Sequence, residues 1–147
     1  MSAGGSGLGD WLILGAITGG AAAASLLVPA ILGWRMDGAL SPALNMALAG
    51  LAAGALLAPL WRGGAGARVV AAVLTPYLVL FLALPGQAVG RLLSEGPAAL
   101  LWILGAPLWT PVGLAFAAIL NPWFGLCYAA GLVAAWCYGE RRAQSLK

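Results

Sequence analysis

Only eleven charged side chains punctuate this chain, and they leave four long stretches with none: residues 11–34, 38–61, 69–90 and 96–139. Each matches or exceeds the ~20 apolar residues that cross the ~30 Å hydrocarbon layer of a bilayer as a helix. A soluble domain solvates its outside with about 25% charged residues. Here 7% are charged and 63% hydrophobic. The expected fold is therefore an all-α membrane protein, a polytopic transmembrane helix bundle, because a helix satisfies its own backbone hydrogen bonds in lipid. No segment remains for a soluble domain of useful size.

Punctuation residues predict the boundaries. Residues 1–10 read as a flexible, Gly/Ser-rich N-terminal tail, 11–139 as a single bundle and 140–147 as a basic cytoplasmic tail. No Lys or Arg precedes Arg35, so the first apolar segment reads as a permanent span rather than a secretory signal. Span 1 covers 11–34, with a Trp at each end and Pro29 to kink it. Span 2 covers 42–61. It opens on Ser41-Pro42, an N-cap followed by a first-turn proline, and closes on a glycine-rich loop between Arg62 and Arg68. Span 3 covers 69–91 and contains Pro76 and Pro85. Each proline frees the carbonyl one turn earlier, and Thr75 and Gln87 stand beside these breaks as possible donors.

The stretch 98–138 would reach ~60 Å as one helix, twice the hydrocarbon thickness. Asn121-Pro122 repeats the cap-then-proline pattern. It divides the stretch into span 4, 97–120, and span 5, 122–138, with Gly139 as the glycine that ends the last helix. The total is five spans. The alternative is four, with a break at Pro107 and Pro111 leaving a re-entrant or interfacial piece. Residues 98–110 lack the polar face an interfacial helix needs, which favours five.

The basic residues divide five to two across the membrane for either span number, and both place the C-terminus in the cytoplasm. Asp10 before span 1 and Arg35 after it favour an external N-terminus, and hence five spans. The expected location is a cell membrane or inner membrane, crossed several times. A net charge of +3 then reads as a topology signal at helix ends, not as a nucleic-acid surface.

Chemistry is sparse. The chain has no histidine, which removes the commonest general base and metal or haem ligand. The carboxylates Asp10, Asp37, Glu95 and Glu140 all fall at span ends or in loops, leaving no ionisable group at membrane depth to relay protons. Ser25 has no base beside it. Cys127 and Cys137 on one helix stand ~15 Å apart, too far for a disulfide, and read as unpaired packing residues. No catalytic residue, cofactor or metal site is expected.

Two patterns stand out. Glycines four apart, Gly15 and Gly19, Gly50 and Gly54, Gly86 and Gly90, place close-packing faces on spans 1, 2 and 3. They suit either a subunit interface or packing inside the bundle. The face on span 2 is the best candidate to meet another chain, because Ala55 and Ala58 extend it. Pro107, Trp109, Thr110 and Pro111 form a candidate broken-helix site, as in transporters. Trp109 there can line a pocket, pack in the core or face lipid. The other six tryptophans lie near span ends, as an aromatic belt predicts. The expected role is a non-catalytic accessory or structural subunit of a larger membrane complex (respiratory, photosynthetic or transport-related). The alternative is a small homo-oligomeric channel or transporter. Expected partners are the lipid bilayer and other membrane subunits or copies of the chain itself.

Overall fold

The computed structural model describes residues 6–32 and 40–145. They form five α-helices: α1 Ser6–Ile31, α2 Leu40–Trp61, α3 Ala65–Glu95, α4 Leu100–Leu120 and α5 Pro122–Ser145. A 3₁₀ turn, Gly96–Ala99, precedes α4, and no strand occurs among the described residues. Gly96 in that turn has φ of 69°, a left-handed conformation natural to glycine. Three segments, Gly7–Ile31, Ser41–Trp61 and Ala65–Leu84, are long and apolar enough to cross a membrane.

Helix α1 is central, packed between α2 and α5, and α2 packs on its other side against α3. One apolar core joins Ala22 of α1, Met46, Ala49 and Ala53 of α2, Val79 and Ala83 of α3, and Phe124 and Tyr128 of α5. Polar side chains fasten the same helices where prolines or close approach expose backbone. The Thr18 hydroxyl reaches the Gly50 carbonyl of α2 at 2.5 Å. Asn45 donates to the Ala83 carbonyl of α3 at 2.7 Å.

Asn121 works at both ends of its amide. Its Oδ1 accepts from the backbone N–H groups of Trp123 and Phe124 at 3.1 and 3.3 Å, the N-cap expected of Asn121-Pro122. Its Nδ2 donates to the Ser25 carbonyl at 3.1 Å. That carbonyl is the one that Pro29, four residues on and without an N–H, cannot satisfy. Asn121→Ala should cost about 2 kcal/mol, one part for the cap and one for the bridging bond. Asn121→Asp, which keeps the cap and loses the amide donor, should cost about half as much. Thermal unfolding in micelles measures both, and equal costs for the two variants would remove the bridging role.

Several expected boundaries move. Helix α1 already includes residues 6–10, so Asp10 belongs to a helix rather than a tail. Residues 1–5 and 33–39, with Trp34, Arg35 and Asp37, lie outside the described residues, as does Lys147. Helix α3 continues past Arg91 to Glu95. Helix α5 continues through Gly139 to Ser145, so most of the expected basic tail is its last turns. Gly139 is there for contact, not for termination. A Cβ on it would collide with the Trp61 carbonyl of α2, and its φ is not in the left-handed region.

The direction of α5 also differs from five alternating crossings. Asn121 at its start meets Ser25, near the end of α1. Gly131 meets Ala21. Tyr138 and Arg142 at its end meet Asp10, near the start of α1. So α5 runs antiparallel to α1, where five alternating crossings require it parallel. The start of α1 and the end of α5 share one end of the bundle.

Candidate functional site

Two places gather the groups that sequence reasoning singled out or missed. The first is the seam between α1 and α2. Gly15 and Gly19 face Leu51 and Ala47, and Gly50 and Gly54 face Gly19, Thr18 and Leu14. A Cβ at Gly15 or Gly19 would come within 2.8 Å of the Leu51 carbonyl oxygen or 2.7 Å of the Ala47 one. One at Gly50 would lie 2.7 Å from both the Gly19 Cα and the Thr18 carbonyl oxygen. These four glycines therefore let two backbones of the same chain touch. The expectation that the span 2 face meets another chain is corrected, since α1 already occupies it. Thr18 locks the seam: its hydroxyl lies within hydrogen-bond distance of the Leu14, Gly15 and Gly50 carbonyls and is buried. Gly86 and Gly90 lie in α3, but their surroundings are outside the described residues.

The second place is the end of the bundle where α1 begins, α2 turns into α3, and α5 finishes. Asp10 is 2% exposed. Its Oδ1 accepts from the Tyr138 hydroxyl at 2.5 Å and from Arg142 Nε at 2.8 Å. Arg62 Nη1 stands 3.5 Å from its Oδ2. Tyr138 and Arg142 are four apart on α5 and so share a face. Charge-assisted bonds of this kind are the strong ones. Buried Arg68 on α3 sends its Nε to the Gly63 carbonyl at 3.1 Å. Its guanidinium carbon lies 5.3 Å from the ring centroid of Trp136, a cation–π distance. Beneath them, fully buried Trp61 packs with Ala71 and Ala135.

Sequence reasoning set Asp10 among carboxylates at span ends or in loops and Trp61 in an interfacial belt. Both are buried, because α5 doubles back onto the start of α1. The available signal was the Tyr138–Arg142 spacing together with a lone acid just before an apolar run. Trp11, by contrast, is exposed at 45%, and Cys127 and Cys137 are free.

The candidate broken-helix site is not broken. Helix α4 runs continuously through Pro107 and Pro111. Pro111 leaves the Pro107 carbonyl without its helical donor, and the Tyr77 hydroxyl of α3 supplies one at 3.4 Å. Pro107 and Pro111 are exposed and Thr110 is buried, while the side chain of Trp109 is outside the described residues. Thr75 does not serve the carbonyl that Pro76 frees. Its hydroxyl bonds Ala71 in its own helix at 2.7 Å. The side chain of Gln87 is outside the described residues.

Chemically, the end cluster is an ionised carboxylate whose oxygens are taken by three donors, two from α5 and one from the turn after α2. It fixes helix positions and offers no nucleophile–base pair. No group of three or more His, Cys, Asp or Glu that could hold a metal occurs among the described residues. The chain matches no protein-family model, no curated protein and no solved structure.

Proposed function

We propose that this protein is a non-catalytic integral membrane subunit, an accessory or structural component of a larger membrane complex. The observation that carries the reading is the use made of the interior polar groups. Thr18, Asn45, Asn121 and Asp10 each bond across to another helix, so these four polar side chains hold helices together. The outward side chains are apolar along α4, where Leu101, Leu104, Leu108, Val112 and Ile119 are exposed. Such a surface suits lipid tails and neighbouring membrane helices.

In this reading α1, α2, α3 and α5 make four crossings. Helix α4 then makes no net crossing, whereas the four-span alternative read from the sequence ended its non-crossing piece at Pro107 and Pro111. The end cluster then faces the cytoplasm with Arg62, Arg68, Arg141, Arg142 and Lys147, as the positive-inside rule asks. A cysteine placed at Ser6 or at Ser145, in a chain with Cys127 and Cys137 changed to Ala, should resist impermeant maleimide in intact cells. Both should react once the membrane is opened. Labelling of one alone in intact cells would restore an odd number of crossings.

Purification of the tagged protein from its own membranes in mild detergent tests the subunit reading. Stoichiometric foreign subunits are the expected result. A clean homo-oligomer would instead favour a small channel or transporter. That second reading draws on Pro107 and Pro111 within α4, since proline-containing helices that can unwind line pathways in transporters.

A further inference from the structure

We infer that the cleft between α3 and α5 holds one acyl chain of an anionic phospholipid, whose phosphate sits at Arg68. The inference rests on the bilayer placement and not on the subunit reading.

Helices α3 and α5 touch little along their length, and a pocket of 210 Å³ opens between them, lined by Ala72, Leu132, Val133 and Trp136. Its walls are apolar carbon from both helices. In a bilayer such a cleft is filled by hydrocarbon, because water there would lack polar partners.

The rim supplies the charge. Ala72 lies one helical turn beyond Arg68 on α3, and Leu132 one turn before Trp136 on α5, so each pair shares a face. Trp136 belongs to both features: it walls the cleft and carries the Arg68 guanidinium above its ring. Arg68 has no acidic partner among the described residues. Arg62 and Arg142 share the single carboxylate of Asp10. Glu140 and Arg141 beside them are both exposed and of opposite sign. Three guanidiniums thus face one carboxylate at this end of the bundle, which favours a phosphate over a neutral or zwitterionic headgroup. In the proposed orientation it also faces the leaflet where anionic lipid is concentrated.

Native mass spectrometry of the whole protein, released from micelles doped with dioleoylphosphatidylglycerol or dioleoylphosphatidylcholine, tests this. The acyl chains are identical, so only the headgroup differs. The wild type should retain one phosphatidylglycerol, about tenfold over phosphatidylcholine. Arg68→Gln should lower that preference about fivefold, and Arg68→Lys, which keeps the charge, should preserve most of it. Ala72→Phe, which fills the cleft and leaves Arg68 in place, should reduce retention of both lipids. Equal retention of the two lipids by the wild type would overturn the inference, and so would undiminished retention by Ala72→Phe. An unchanged preference in a helical Arg68→Gln protein would do the same. Failure of the bilayer placement would show separately, as protein released from membranes by alkaline carbonate.

Discussion

Gly54→Leu should destroy the folded monomer rather than separate it from a partner. A Cβ at Gly54 would collide with the Thr18 hydroxyl and lie 2.5 Å from the Leu14 carbonyl oxygen. Neither neighbour can yield cheaply. Leu14 offers backbone, and Thr18 is held by its bond to Gly50. Forcing extra atoms into a close-packed seam costs about 1–3 kcal/mol and at times more. Here the insertion also breaks the Thr18–Gly50 bond, worth about 1 kcal/mol. The expected loss is about 3 kcal/mol or more, read as a collapse of the thermal transition in micelles. Gly20→Leu is the matched control. It lies on α1, the other helix of the seam, with no atom within 4 Å of its Cβ position, and it should leave the transition unmoved. A stable Gly54→Leu monomer would mean that α1 and α2 do not meet on these glycines.

A second large effect is expected from one methyl group. Gly139→Ala places a Cβ against the Trp61 carbonyl, a backbone atom of a residue that is itself fully buried. Either α5 moves away from α2 or the end of α2 unwinds. Both responses disturb Trp61, the largest fully buried side chain among the described residues. About 2 kcal/mol is the expected cost, as a fall in the unfolding midpoint. Ala at a helix-terminating glycine would instead be strained by its backbone conformation. The two explanations separate at Gly125, an exposed helical glycine of α5 with nothing near its Cβ position. Gly125→Ala should be neutral or slightly stabilising. If Gly139→Ala behaved the same way, the contact with α2 would be absent.

The contrast between these glycines explains what could be read in the chain beforehand. The breaks between helices were legible because their chemistry is local. Asn121 caps the helix that Pro122 begins, and both residues are adjacent in sequence. The close-packing glycines of α1 and α2 were legible as faces, but not their partner, because spacing on one helix says nothing about which helix arrives. Gly139 followed an aromatic residue and preceded a run of charges, which reads as a helix end. Its real neighbour, Trp61, is far away in the chain. Asp10 was opaque for the same reason. Its partners Arg62 and Arg142 lie 52 and 132 residues onward. The direction of α5 was equally hidden, since the basic residues divide five to two under either span number.

Asn121 imposes an order on biosynthesis. The carbonyl that Pro29 leaves open in α1 receives its donor from a side chain 96 residues later. A ribosome adding about 5–20 residues per second delivers α1, α2 and α3 to the membrane well before that amide exists. Until then the first helix carries a defect that only water or the insertion machinery can solvate. The early hairpin of α1 and α2 is therefore held by its glycine seam, the Thr18–Gly50 bond and the packing of Leu14 on Leu57, and α5 closes the wound in α1 as it starts its own first turn.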